Sequence, residues 1–388
     1  VSDDDRDENP FAGLPMFGDL ARALSGQGPL NWDAARQFAA LAATGGHSES
    51  NPDPTTRIAL GNLARIAEMH VQVVTGLDTA VGLEVVTVTP GIWAHRTLTA
   101  YQPLFTELAS SLQSRPPDDG PTDPTMAMMA GLSQMMAPAM MGMAVGSMVG
   151  QLAKRAFGQY DLPIPRPESR DVVLVPSAID EFATEWELAR DDVRMWVLVQ
   201  ELVGHSLYTV PHIREAVLGL VRRHVGGFRP DPHAVMEKLG SLDMADDDPM
   251  RALERAFGDP ELLLGAVRTP EQDALQPHLD ATLALVVGYV DHMVDRACAR
   301  LLGTGNSISE AIRRRRIETS PEDLFVERLL GLRLDRHQVE RGRAFVQGVV
   351  ERGGDDALAR LFVSERELPT PNELDAPGLW LARLDLTD

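Results

Sequence analysis

Cysteine is nearly absent: Cys298 is the only one in 388 residues. No disulfide can form within the chain, and a zinc site built on several thiolates is excluded. Nothing points to an oxidising compartment, so a cytoplasmic location is expected. Aromatic residues make up only 5% of the chain, and a core must therefore lean on Leu, Val, Ala and Met. Positive charge is also scarce. Lys and Arg number 36 against 57 Asp and Glu, a formal net charge of -21. Such a surface repels phosphate, which argues against nucleic-acid and anionic-membrane partners. Residues 1–8 are an acidic run with no apolar stretch. They read as a disordered leader and not as a signal peptide.

Hydrophobic residues reach 44%, enough for a sizeable core. The element pattern predicts a mainly helical α+β protein. Asn31 before Trp32 and Thr89 before Pro90 have the form of helix N-caps. Thr269-Pro270-Glu271-Gln272 has capping-box form and opens a helix running to about Leu302, expected to bend at Pro277. Ser307 with Glu310 and Ser320-Pro321 mark two further helix starts. Val172-Val173-Leu174-Val175, stopped by Pro176, reads as a short strand. Breaks at 114–121 and at the proline-rich 161–167 suggest a helical lobe over 9–165, a core over 166–305 and a helical region over 306–388.

No charged residue occurs between Asp123 and Lys154, a stretch rich in Met and punctuated by Gly142, Gly146 and Gly150. Its length suits a bilayer span. Gln134, Pro138 and Gln151 interrupt it, and adaptable Met filling suits a core. The reading is a buried helix or hairpin, with no membrane span.

The informative segment is Trp196-Val197-Leu198-Val199-Gln200-Glu201-Leu202-Val203-Gly204-His205. It has the frame of the His-Glu-x-x-His helix of zinc peptidases. There, two histidines four residues apart hold the metal from one helical face, and the Glu acts as general base on metal-bound water. Gln200 and Gly204 stand at the histidine positions, and Glu201 alone fits.

With this segment go Asn9-Pro10-Phe11, Gly28-Pro29-Leu30-Asn31-Trp32-Asp33, Trp93, the Met/Gly-rich stretch, Val173-Leu174-Val175-Pro176, Leu283 to Asp291, Arg313 to Arg316 and Leu368-Pro369-Thr370. In this order and spacing the chain resembles a zincin-like family whose members are labelled zinc-dependent metalloproteases or hydrolases. The resemblance implies a zincin-like core: a small sheet with an edge strand, the motif helix, and a second helix supplying a third ligand. It places that ligand, a Glu in the family, at Val287 of Val286-Val287-Gly288-Tyr289-Val290-Asp291. All three implied ligand positions, Gln200, Gly204 and Val287, are thus degenerate, and no zinc is expected there.

Glu201 keeps the general-base position as a vestige, and the plainer reading is a buried Glu paired with a nearby base. His205 lies four residues on, and with Asp291, His292 or Asp295 the pair could form a shifted metal site. The plainer reading of His205 is a hydrogen-bonded core histidine. His212 and Glu215 share a face after Pro211. Arg313 to Arg316 is a basic block suited either to an anion or to internal salt bridges. Cys298 reads as an inert core thiol.

Three functions follow. The first is a metallopeptidase homologue without zinc-dependent activity that keeps a peptide- or protein-binding groove, with strand addition at its edge strand. The second is a hydrolase with a metal shifted to Glu201 and His205. The third is a structural or assembly protein.

Overall fold

The computed structural model describes residues 28–78, 82–113, 124–230, 266–303, 307–317 and 329–387. The readings placed on 1–8, 9–11, 114–121 and 320–321 lie outside them. Within these residues the protein is predominantly helical with very little sheet.

Helix α1 (Trp32–Thr44) starts at Asn31, whose side chain accepts from the N–H groups of Asp33 and Ala34. α2 (Pro54–Thr75) is capped by Asp53 and stopped by Gly76 in the left-handed conformation. Strand β1 (Glu84–Thr87) leads into α3 (Pro90–Ala100), capped by Thr89, and then α4 (Gln102–Gln113). The Met-rich stretch is one continuous helix, α5 (Pro124–Arg155), not a hairpin. A 21-residue window of it, Met135–Arg155, is long and apolar enough to cross a bilayer by length and composition.

What α5 does with its glycines is clear from its packing on α1. Gly142, Gly146 and Gly150 recur every four residues and so line one face. A Cβ on them would lie 2.3, 2.3 and 2.5 Å from the carbonyl oxygens of Asn31, Ala35 and Ala39. α1 answers with Ala35, Ala39 and Ala43, all buried. Small residues on both sides let the backbones touch.

β2 (Asp171–Leu174) pairs in parallel with β1, Glu84 opposite Asp171 through Thr87 opposite Leu174. Val172 to Val175 are buried throughout, so the segment reads as an unbroken apolar run. An antiparallel bridge from Gly158 to Leu174 lays residues 157–160 against the end of β2. The proline-rich 161–167 segment packs inward rather than standing free, with Leu162, Ile164 and Arg166 buried.

α6 (Pro176–Glu185) precedes α7 (Arg190–Leu207), the centre of the molecule. Every residue of α7 from Val193 onward is buried. A helix apolar or enclosed on all sides needs partners on all sides; α2, α6, β2, α9 and α10 surround it. α8 (Pro211–Gly226) follows, and a two-residue antiparallel pair, β3 (Arg229–Pro230) with β4 (Ala266–Val267), precedes α9 (Pro270–Leu301). α9 has the capping box read from Thr269 and Gln272 and runs unbroken past Pro277. α10 (Ser307–Ile317) and α11 (Arg336–Gly353) come next, then two 3-10 turns and the short α12 (Pro371–Leu374) and α13 (Pro377–Thr387). α9 and α11 cross at Gly288 and Gly342, where a Cβ on Gly342 would lie 1.8 Å from the Ala284 carbonyl oxygen.

Candidate functional site

One turn of α7 faces two different environments. Gln200 and Gly204 point to a pocket, while Glu201 and His205, rotated about 100° around the helix, point to the 157–160 segment. The pocket has a volume of about 140 Å³. Gln200, Gly204 and Tyr208 form its floor, and Val286, Val287, Val290 and Asp291 of α9 form one wall. Ile312, Arg315 and Arg316 of α10 cover it. The three positions Gln200, Gly204 and Val287 therefore line one cavity.

A guanidinium sits among them. Arg316 Nη1 donates to both oxygens of Asp291, at 2.9 and 3.0 Å, and Nη2 donates to Gln200 Oε1 at 3.2 Å. Asp291 and Gln200 are both buried. Arg313 stands on the other side of Asp291, its Nε 3.7 Å from Oδ2, and bonds Asp295. Asp295 in turn accepts from Ser309 at 2.9 Å, and Ser309 accepts from Trp196 Nε1 at 2.9 Å. Ser309, Arg313 and Arg316 share a face of α10, so one helix face is stitched to α7 and α9. The four arginines of the basic block diverge. Arg314 lies over the Trp186 ring, and Arg315 stacks on Phe157, 3.8 Å from its centroid. Tyr160 closes the pocket from the opposite side: a Cβ on Gly204 would meet its ring at 3.2 Å.

Glu201 is fully buried. The base expected beside it is not there. Instead its Oε2 accepts the backbone N–H groups of Gln159 and Tyr160 at 2.8 and 3.0 Å. Gly158 makes this approach feasible, because a Cβ there would lie 2.2 Å from the Glu201 carboxyl carbon. Burial, and then the nearby Asp161 charge, push the Glu201 carboxyl up to about 8. Asp161 itself accepts from the N–H groups of Phe157 and Gly158 at 2.5 and 2.9 Å. Trp93 Nε1 donates to the Gly158 carbonyl, and Arg166 Nε to that of Gln159. Arg166 lies between the rings of Trp93 and Tyr101. The N–H groups of 157–160 and the carbonyls of Gly158 and Gln159 are thus all engaged internally.

His205 is a hydrogen-bonded core histidine: its Nδ1 meets the Tyr160 hydroxyl at 3.1 Å. Its Nε2 is buried with no partner among the described residues, and burial lowers its pKa. His292 turns elsewhere, to Asp355 at 3.1 Å. The alternative ligands Glu201, His205, Asp291 and His292 are therefore not brought to one point. Among the described residues no group of three or more His, Cys, Asp or Glu is placed to hold a metal ion. His212 bonds the Leu361 carbonyl at 2.9 Å. Cys298 is buried, which pushes its thiol up to about 12.

A sequence model of zincin-like metallopeptidases matches residues 30–381. The chain belongs to the zincin-like metallopeptidase family. Among solved structures it is similar to a protein from Chloroflexus aurantiacus, provisionally termed a hydrolase and described as having a novel fold. The TM-score is 0.60 at 21% identity, over 92% of this chain and 99% of that one. At that identity the likeness shows the fold alone. No curated protein matches the sequence.

A zincin-like metallopeptidase needs lone pairs at about 2.0–2.3 Å around its zinc, three from the protein and one from water. The residues present here do not fit that ion. Gln200 offers an amide oxygen already engaged by Arg316, Gly204 has no side chain, and Val287 has no donor atom. The cation at this place is a guanidinium. Tyr160 and Arg316, which line this pocket, carry no local signal in the sequence. Tyr160 is separated from α7 by β2 and α6, and Arg316 is one of four like residues in a row.

Proposed function

We propose that the protein is a non-peptidase member of its family, in which the former metal pocket serves to recognise a partner protein or peptide. The observation that carries this reading is the Arg316 guanidinium bridging Asp291 and Gln200 where Gln200, Gly204 and Val287 converge. Zincin hydrolysis relies on a metal to activate water and polarise the scissile carbonyl. A guanidinium does not acidify a bound water as a metal does, and this one is held by Asp291 and Gln200. Glu201, the vestigial base, spends its Oε2 on two backbone N–H groups.

Size shapes what the pocket takes. About 140 Å³ is less than the roughly 300 Å³ at which drug-sized sites begin, so it suits one side chain rather than an extended peptide.

The test is hydrolysis of a mixed peptide library by the full chain with added zinc, with and without a chelator. The reading expects no chelator-sensitive cleavage. Turnover abolished both by chelation and by Glu201→Gln would overturn it.

A further inference from the structure

The way Arg316 is held says what the pocket recognises. Three acceptor oxygens from two buried side chains converge on its guanidinium: both of Asp291 and the Gln200 amide oxygen, at 2.9 to 3.2 Å. The walls beside them, Val286, Val287, Val290 and Ile312, are apolar. A planar, weakly hydrated guanidinium with several N–H donors matches such a slot. A compact ammonium matches it less well, because it is more strongly hydrated and offers no flat fork. Carboxylate oxygens with an amide oxygen and aliphatic walls are also poor company for a second anion.

Arg316 is not the only tie of its own helix. α10 is tied to α7 and α9 by Ser309 and Arg313, through Trp196 and Asp295. The guanidinium at position 316 is an occupant added to an anchored helix, and 20% of that side chain remains exposed. Asp291 and Gln200 beneath it are buried, so an incoming group must displace it to reach them.

We propose that this pocket is an arginine-side-chain receptor, occupied in the resting protein by the chain's own Arg316 and open to an arginine of a partner peptide that displaces it. The proposal rests on the metal-free reading of the pocket given above. Asp291 supplies the charge, Gln200 the third acceptor, and Arg316 acts as an intramolecular competitor that sets the affinity. Arg313 Nε, 3.7 Å from Asp291 Oδ2, stays beside that carboxylate while the occupants exchange.

The experiment uses the full chain, a short fluorescent peptide containing one arginine, and its citrulline counterpart, with binding read by fluorescence polarisation. Arg316→Ala removes the competitor and should bind the arginine peptide about tenfold or more tighter than the native chain does. Citrulline, which keeps the shape and lacks the charge, should not bind, and Arg316→Ala combined with Asp291→Asn should lose binding. Arg316→Met, which refills the slot without charge, should bind no better than the native chain. Equal binding of the two peptides, or no gain in Arg316→Ala, overturns the proposal. If Arg316→Ala does not fold alone, its recovery in millimolar methylguanidinium against equal sodium chloride is the readout; recovery supports the proposal and none overturns it. Zinc is tested beside these probes. Tight zinc binding by the native chain would defeat the metal-free reading itself, whereas failure of zinc and arginine alike defeats only the receptor.

Discussion

Arg316, Asp291 and Glu201 carry the account at the scale of single residues. The Asp291 side chain is 5% exposed, and its main compensation is Arg316. Removing one partner of a buried pair costs about 3–5 kcal/mol, mostly because a charge is left behind. Arg313 on the other flank of Asp291 should hold Arg316→Ala near the lower end. Arg316→Met together with Asp291→Asn should recover much of the loss, since both charges go and the volume stays. Denaturant unfolding of the two single variants and the double variant gives the coupling, expected on the order of 2 kcal/mol. A strictly additive cycle would show that the pair does not hold the pocket.

Glu201 gives a prediction in pH. Its carboxyl, at about 8 in the folded state against 4.5 ordinarily, keeps a proton that the unfolded chain releases. That contribution is full below the lower value and is lost as pH rises through the higher one. Above it the fold carries a buried carboxylate, at a cost on the order of a few kcal/mol. His205 runs the other way. Its depressed pKa favours the fold at high pH, and that contribution fades as pH falls. Glu201→Gln removes only the first effect. Its melting temperature relative to the native protein should climb from about pH 5 to about pH 9. Parallel curves would mean that Glu201 does not titrate in this window.

At the scale of elements, the α1–α5 contact depends on hydrogen in place of methyl groups. Gly146→Ala puts a Cβ 2.3 Å from the Ala35 carbonyl oxygen. It should cost about 1–3 kcal/mol in overpacking, although alanine is the better helix former. Gly219 of α8 is the control, because a Cβ there meets nothing within 4 Å. Gly219→Ala should stabilise by up to about 1 kcal/mol. If both substitutions behave alike, the close approach of α1 and α5 is not what fixes α5. Helix boundaries were the most legible features in the sequence. Asn31, Thr89 and Thr269 announce their helices because capping is local chemistry between a side chain and N–H groups two or three residues away. The Met-rich stretch was harder. Its apolar character allows a hairpin, a helix or a span, and only the partner face on α1 shows which residues its glycines meet.

At the scale of the molecule, a helical α+β fold around the motif helix was readable. So was the convergence of Gln200, Gly204 and Val287, which rests on the family frame. What fills that convergence was not readable. Arg316 reaches Asp291 across 25 residues, and its three neighbours in the basic block are indistinguishable from it in sequence. The base expected beside Glu201 turned out to be two backbone N–H groups, which every segment possesses and which no residue pattern advertises. The shifted metal site failed to assemble for a related reason. Spacing of four places Glu201 and His205 on one side of α7, but that side packs on 157–160 while Asp291 looks across the pocket.

The central claim is that an arginine stands where the family holds its metal. The most direct test is the metal content, by mass spectrometry, of this untagged chain loaded with zinc and then dialysed against a mild chelator. The account predicts far less than one zinc per chain in the native protein, and no change on Glu201→Ala or His205→Ala. One retained equivalent of zinc, lost in either variant, would contradict it.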